Sequence, residues 1–235
     1  MDMQHQAMGY DRTATMFSPD GHLLQVEYAE KTVRLGSASI GMVCSDGVFI
    51  LADKRIEDTL IVKESANKIY EIDSHITASV AGIVSDARVL IERAQLLAQQ
   101  HRITYDSPIE TESIVKEIAN MKQQFTQYGG ARPFGVSMMT AGINGKKPEL
   151  FVSDITGNYF SYHTNAIGEN DDKIKEKLRE KYKQNLKIKE GIKLALDIFK
   201  EIKGNKFSLS KFELVYINSE NKKIERIEGE KIKEV

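Results

Sequence analysis

Strand-like and helix-like segments alternate along this chain in pairs, and that alternation leaves few folds open to it. Residues 37–44 (SASIGMVC) and 47–53 (GVFILAD) are short apolar runs divided by Ser45-Asp46, which with Gly47 reads as a β-hairpin. Their apolar residues sit on neighbouring as well as alternating positions, as expected of strands buried on both faces. Residues 68–72 and 76–81 form a second pair across the turn-like Asp73-Ser74-His75, and Gly82 closes this β half. The spacing then changes. Ala87, Leu90, Ile91, Ala94, Leu97 and Ala98 trace a helical stripe. Pro108 opens a second helix, with Ile114, Ile118, Met121, Phe125 and Tyr128 on one face and Gly129-Gly130 as its stop. Strands are expected again at 134–141, 150–152 and 159–162, with turns at Asn144-Gly145 and Thr156-Gly157. Helices follow at 171–183 and 188–202, then strands at 212–217 and 223–227. Residues 228–235 read as a short or frayed helix. Each helix pair has one apolar stripe, so each must cover something. Two stacked sheets with a helix pair on each outer face satisfy this pattern. The class is α+β, and periodicity alone leaves open which sheet each pair covers.

Ahead of this core stands a leader that does not belong to the alternation. Gly9-Tyr10-Asp11-Arg12 is followed by a turn, Ser18-Pro19-Asp20-Gly21, and then by apolar positions 23, 26, 29 and 33 at helical spacing. Ser18 is the expected N-cap, Pro19 sets φ for the turn or first helical position, and Gly36 ends the helix. By propensity alone Tyr10, Asp11 and Arg12 belong to a frayed terminus.

Composition narrows the function. Apolar residues make up 41% of 235, enough for one sizeable core, and no apolar run is long enough to span a bilayer. A single cysteine, Cys44, excludes an intrachain disulfide and fits a reducing, cytoplasmic setting. No secretory signal opens the chain. The net charge of −1 gives no general attraction to nucleic acid or anionic membrane. Histidines 5, 22, 75, 101 and 163 have no metal-ligand spacing, residues 142–147 lack the spacing of a phosphate loop, and 135–139 lack the second glycine of a nucleophile elbow. Cys44 reads as a small core residue and the Lys/Glu-rich helices as solvated faces. No cofactor or metal is expected.

The leader also carries a long motif. Tyr10-Asp11-Arg12, four residues, Phe17-Ser18-Pro19-Asp20-Gly21-His22-Leu23 and then Gln25-Val26-Glu27-Tyr28-Ala29 resemble the signature of proteasome α subunits. The resemblance continues through Asp46-Gly47-Val48, Ala52-Asp53-Lys54-Arg55, Asn67-Lys68-Ile69, Ser85-Asp86-Ala87-Arg88, residues 126–137 (TQYGGARPFGVS) and Ala166-Ile167-Gly168, to about residue 217. The near-neutral chain with a short charged tail is nearer the archaeal form than the eukaryotic one. The resemblance implies a four-layer αββα sandwich of the N-terminal-nucleophile hydrolase type with an extra N-terminal helix. It divides one domain, 1–235, into a gating leader (1–16), the helix (22–35), the sandwich (37–227) and a charged tail (228–235). It implies heptameric rings capping β-subunit rings, with unfolded proteins passing an axial pore and a regulatory ATPase docking its C-terminal tails. The gate residues would be Tyr10, Asp11, Arg12, Pro19 and Tyr28. The inter-subunit tail pocket would be Lys68 with Leu23, Glu27, Gly36 and Gly82. Catalysis is not implied. In the related β subunits a threonine freed at the N-terminus is activated by its own amine, whereas the matching Ser37 follows a peptide bond and a whole helix. The alternative is a self-processing amidohydrolase using Ser37. Three sites depart from the familiar pattern: His22 in place of arginine, Glu30 where arginine is common, and Glu169-Asn170 where small residues are usual.

Overall fold

The computed structural model describes residues 9, 12–55, 58 and 60–235. One helix, α1 (Leu24–Leu35), precedes the hairpins β1 (Ser39–Cys44)–β2 (Gly47–Asp53) and β3 (Ile69–Asp73)–β4 (Ile76–Gly82). Then come α2 (Val84–Tyr105) and α3 (Thr111–Phe125), followed by β5 (Val136–Asn144), β6 (Lys147–Ser153), β7 (Tyr159–Ser161) and β8 (Thr164–Ile167). The chain ends with α4 (Asp171–Lys181), α5 (Ile188–Lys203), β9 (Phe212–Asn218) and β10 (Ile224–Glu228). Two five-stranded antiparallel sheets result, in the orders β10-β9-β2-β1-β8 and β3-β4-β5-β6-β7.

Three apolar layers hold the sandwich together and resolve the pairing of helices with sheets. Ile174, Leu178, Ile192, Ala195 and Phe199 of α4 and α5 pack on Ile40, Met42, Phe49, Leu51 and Leu214 of the first sheet. Leu90, Ile91, Ala94, Ile114 and Ile118 of α2 and α3 pack on Ile76, Ala78, Val136 and Met138 of the second. Val48, Ile50, Ala52, Ile69, Met139, Ala141, Leu150 and Val215 fill the space between the sheets. Strand β2 is buried at all seven positions because both its faces are covered.

Several boundaries differ from the sequence reading, each for a local reason. Helix α1 starts at Leu24 rather than 22, and no side chain caps it. Ser18 instead closes a reverse turn: its Oγ accepts from His22 N–H at 3.1 Å and its own N–H donates to the His22 carbonyl at 2.8 Å. Gly36 ends α1 in an extended conformation, its N–H bonded to the Val33 carbonyl at 3.0 Å. Helix α3 starts three residues after Pro108 and ends at Phe125, where Thr126 Oγ1 donates to the Gln123 carbonyl, so Tyr128 lies beyond the helix and is exposed. Strand β5 starts at Val136 because Phe134 packs on Phe125 and the Gly135 carbonyl takes the Ile83 N–H. The β5–β6 hairpin runs to Asn144 and from Lys147, longer than expected, around Gly145 at φ 63°. Helix α4 ends two residues early. Strand β8 was not expected at all; its four residues carry no periodicity and are strand only by pairing with β1. Of the short or frayed helix expected at the end, the structure has the short form, 3-10 turns over Gly229–Glu234 that bury Ile232.

Candidate functional site

Six elements end together beside the α1–β1 link: α1, β1, β2, β3, β4 and β8. There the backbones pass unusually close. A Cβ on Gly36 would lie 2.5 Å from the Gly82 nitrogen, and one on Gly168 would lie 2.5 Å from the Ser37 carbonyl oxygen. Glycine is required at these positions because only a missing side chain permits the approach, and Gly82 at φ 126° and Gly168 at φ 95° also occupy backbone regions costly for other residues. The Gly36-Ser37 peptide is thereby clamped between the ends of β4 and β8. The Gly36 carbonyl accepts from Glu169 N–H at 2.7 Å.

Lys68 closes the third side. Its ammonium donates to Ser37 Oγ at 2.5 Å and also to the Ser37 carbonyl. At the other end of the residue, Lys68 N–H donates to Glu213 Oε2 at 3.0 Å. Glu213 is fully buried and paired with Arg226, which in turn donates to the Ile69 carbonyl. Both ends of Lys68 are therefore fixed. Around it, Asp53 pairs with Lys203 and Glu169 with Arg55, two ion pairs that balance in charge. Among the described residues no carboxylate pairs with Lys68 itself. Burial lowers its ammonium to about 7, helped by Arg55 and Lys203 and opposed by Asp53 and Glu169. Among the described residues, the direct partners of this half-buried cation are two neutral oxygens.

The expected pocket residues divide into two places. Gly36, Gly82 and Lys68 meet here. Leu23 and Glu27 stand at the opposite end of α1, whose 12 residues span about 18 Å. There Glu27 Oε1 lies 2.5 Å from His22 Nδ1, so the His22 departure has a partner of its own. One copy of the chain does not assemble the whole set. Of the expected gate, Tyr10 and Asp11 lie outside the described residues, Arg12 and Pro19 are exposed, and Tyr28 is half-buried with Lys31 Nζ 5.2 Å from its ring centre. The Glu169 departure supplies the Arg55 ion pair; the hydrogen bond to Gly36 comes from its backbone N–H. Lys203, Glu213 and Arg226 were missed by sequence reasoning because they join the cluster from distant parts of the chain and carry no local pattern. Elsewhere, Cys44 is buried with its thiol pushed up to about 12, by burial first and then by Asp46 and Glu190, so no thiolate forms near neutral pH. No described helix is long and apolar enough to cross a membrane.

Comparison with known proteins meets this geometry at both its parts. The proteasome subunit family matches residues 33–217, and the N-terminal signature of A-type proteasome subunits matches residues 10–31. The chain belongs to the proteasome α-subunit family. Among its relatives, the proteasome alpha subunit of Methanosarcina thermophila is 41% identical over 96% of this chain and 91% of the relative. That of Methanothermobacter thermautotrophicus is 41% identical over 97% and 92%, and that of Pyrococcus horikoshii 44% identical over 95% and 85%. The signature covers the leader turn and most of α1, while the larger match covers the sandwich. The two sheets and their helices are the proteasome fold, and the clamp residues Gly36, Ser37, Gly82 and Gly168 all fall within the larger match.

Proposed function

We propose that seven copies of this chain form the cytoplasmic end ring of a 20S core particle, a non-catalytic ring that gates unfolded proteins into a chamber where β subunits cut them. In this reading the leader, with Tyr10, Asp11, Arg12, Pro19 and Tyr28, surrounds the pore. Lys68, Gly36 and Gly82 of one copy face Leu23 and Glu27 of the next, and the pocket between them takes the C-terminal carboxylate of a regulatory ATPase tail. Ubiquitin-independent or tag-dependent degradation follows.

The observation that carries the reading is the half-buried Lys68, held by neutral oxygens and, among the described residues, paired with no carboxylate. A terminal carboxylate supplies that charge, and the glycines let a peptide backbone approach. Ser37 supports the non-catalytic role because its nitrogen is tied up in the clamped peptide, leaving no free amine beside the hydroxyl. Exposed Val89, Leu96 and Ile103, seven residues apart along the outer face of α2, support a chain that partners cover in an assembly.

Purified alone, the chain is expected to form large rings without peptidase activity; co-purified with β subunits, it should yield a particle that cleaves peptides. Lys68→Ala should leave that particle and its basal rate intact while abolishing stimulation by a tail-bearing ATPase ring. Normal stimulation of the variant would remove the pocket. One observation favours a second reading, a self-processing amidohydrolase: Lys68 Nζ is close enough to Ser37 Oγ to serve as its base. Intact mass spectrometry separates the two, since a chain beginning at Ser37 and hydrolysing amides unaided would establish the second.

A further inference from the structure

We propose that Ser37 is the positioning residue of the Lys68 anion site: its hydroxyl and carbonyl oxygens each accept one ammonium hydrogen, aiming the third at an incoming carboxylate. This inference rests on the pocket reading above and adds a role for a residue that reading leaves idle. It stands on three observations. First, among the described residues Lys68 Nζ has two oxygen partners, both from Ser37, one of them Oγ at 2.5 Å. An ammonium carries three hydrogens and no acceptor, so one remains. Second, Ser37 is not free to move with its partner. Its carbonyl backs onto Gly168, and the preceding glycine is wedged against Gly82 and hydrogen-bonded to Glu169. Third, the lysine is anchored at its own backbone by buried Glu213. A flexible four-carbon side chain held at both ends loses little further freedom on binding, which is how preorganisation raises affinity.

The charges facing the ammonium fix the pH behaviour. Asp53 and Lys203 approach from the end of β2 and the end of α5, Arg55 from the segment after β2, and Glu169 from the segment after β8. They nearly cancel, so burial dominates and the ammonium loses its proton near pH 7. Carboxylate capture needs the charged form and should weaken as pH rises through that value. The Ser37 hydroxyl accepts a hydrogen bond from the charged form and so favours it. Ser37→Ala should therefore move the midpoint of this loss to lower pH.

The test uses the assembled full-length particle and a fluorescein-labelled octapeptide with a free C-terminal carboxylate, paired with its C-terminal amide and followed by anisotropy from about pH 5.5 to 8.5, a range that brackets the lysine's titration. Ser37→Ala is expected to bind the acid peptide about tenfold more weakly, the scale of one hydrogen bond to a charged group. The amide should bind unchanged, the pH midpoint should fall, and Ser37→Thr should restore both. Ser37→Ala that binds the acid as the unaltered protein does, or loses acid and amide equally, overturns the positioning role. Lys68→Ala is the separate control. If it keeps the preference for acid over amide, the pocket reading itself fails and this inference falls with it. Should Ser37→Ala fail to assemble, Ser37→Cys, with a similar volume and a weaker acceptor, carries the same comparison.

Discussion

Two lysines in this chain are pulled down to about 7 by burial, and their surroundings give them different consequences. Lys68 is half-buried beside the Gly36-Ser37 peptide. Lys122, on the inner face of α3, is fully buried, and its ammonium donates to Ser153 Oγ at 2.9 Å and to the Ser153 carbonyl at 3.2 Å, with Asp154 partly opposing the downward shift. For Lys122 the issue is stability. Its folded-state value lies below the unfolded value of about 10.4. Between these limits the unfolded chain binds more protons than the folded one, so stability rises with pH through that window, and below about 7 the cost of the buried charge is constant. Lys122→Met replaces it with an apolar side chain of similar length. The variant should melt higher at pH 6 by several degrees, taking about 1–4 kcal/mol for removing a buried charge and about 2–4 °C per kcal/mol at this size. The gain should shrink toward pH 10, as read by thermal melts across that range. A gain independent of pH would mean that folding leaves the Lys122 ammonium unshifted.

At the level of elements, the turn after the leader and α1 have anchors of their own. The reverse turn is fixed by both Ser18 hydrogen bonds, with Ser18 buried. Helix α1 is held by buried Leu24 and Val26 and by Thr32 Oγ1, 3.3 Å from the Gly135 carbonyl. These anchors lie outside residues 2–12. Deleting those residues should leave α1 and the sandwich intact, and in the complete particle it should raise basal peptide turnover severalfold without changing KM for a small substrate. An unchanged rate would show that the leader is not the gate. The same elements show what a sequence can carry. The stripes of α2 and α5, the β1–β2 hairpin and the glycine turns were legible because periodicity and turn chemistry are local. Strand β8 was not, since Thr164 to Ile167 become strand by pairing with β1. The site was half legible: Lys68, Gly36 and Gly82 came through the family motif, whereas the charges that tune the lysine come from the end of β2, the end of α5 and the segments after β2 and β8, and meet only after folding.

For the whole molecule, the helix pairs leave two open flanks. Strands β10 and β3 share one, where Arg226 reaches the Ile69 carbonyl, and β8 and β7 share the other. A closed ring of identical copies joins two different surfaces, one from each neighbour, so flanks of unlike character suit it. Edge strands invite unwanted strand addition, and here they are short or charged: β7 has three residues, β8 four, and β10 carries Glu225, Arg226 and Glu228. In the proposed ring, neighbours should therefore meet through side chains. On the β7–β8 flank the large apolar side chain is Phe160, 63% exposed and edge-on to Tyr162. It borders a 260 Å³ groove in which Arg34–Asp172 ties α1 to α4 and Lys175–Asp171 braces the first turns of α4. Phe160→Asp removes apolar contact area that the single chain does not use, so the melting free energy of the separated chain should change by no more than about 0.5 kcal/mol. Assembly should respond far more strongly. Light scattering should find the variant at the 26.5 kDa of one chain, where the unaltered protein gives a multiple of that mass. A variant that still forms full-sized rings would place the ring contact away from this flank and leave Phe160 as an ordinary exposed aromatic.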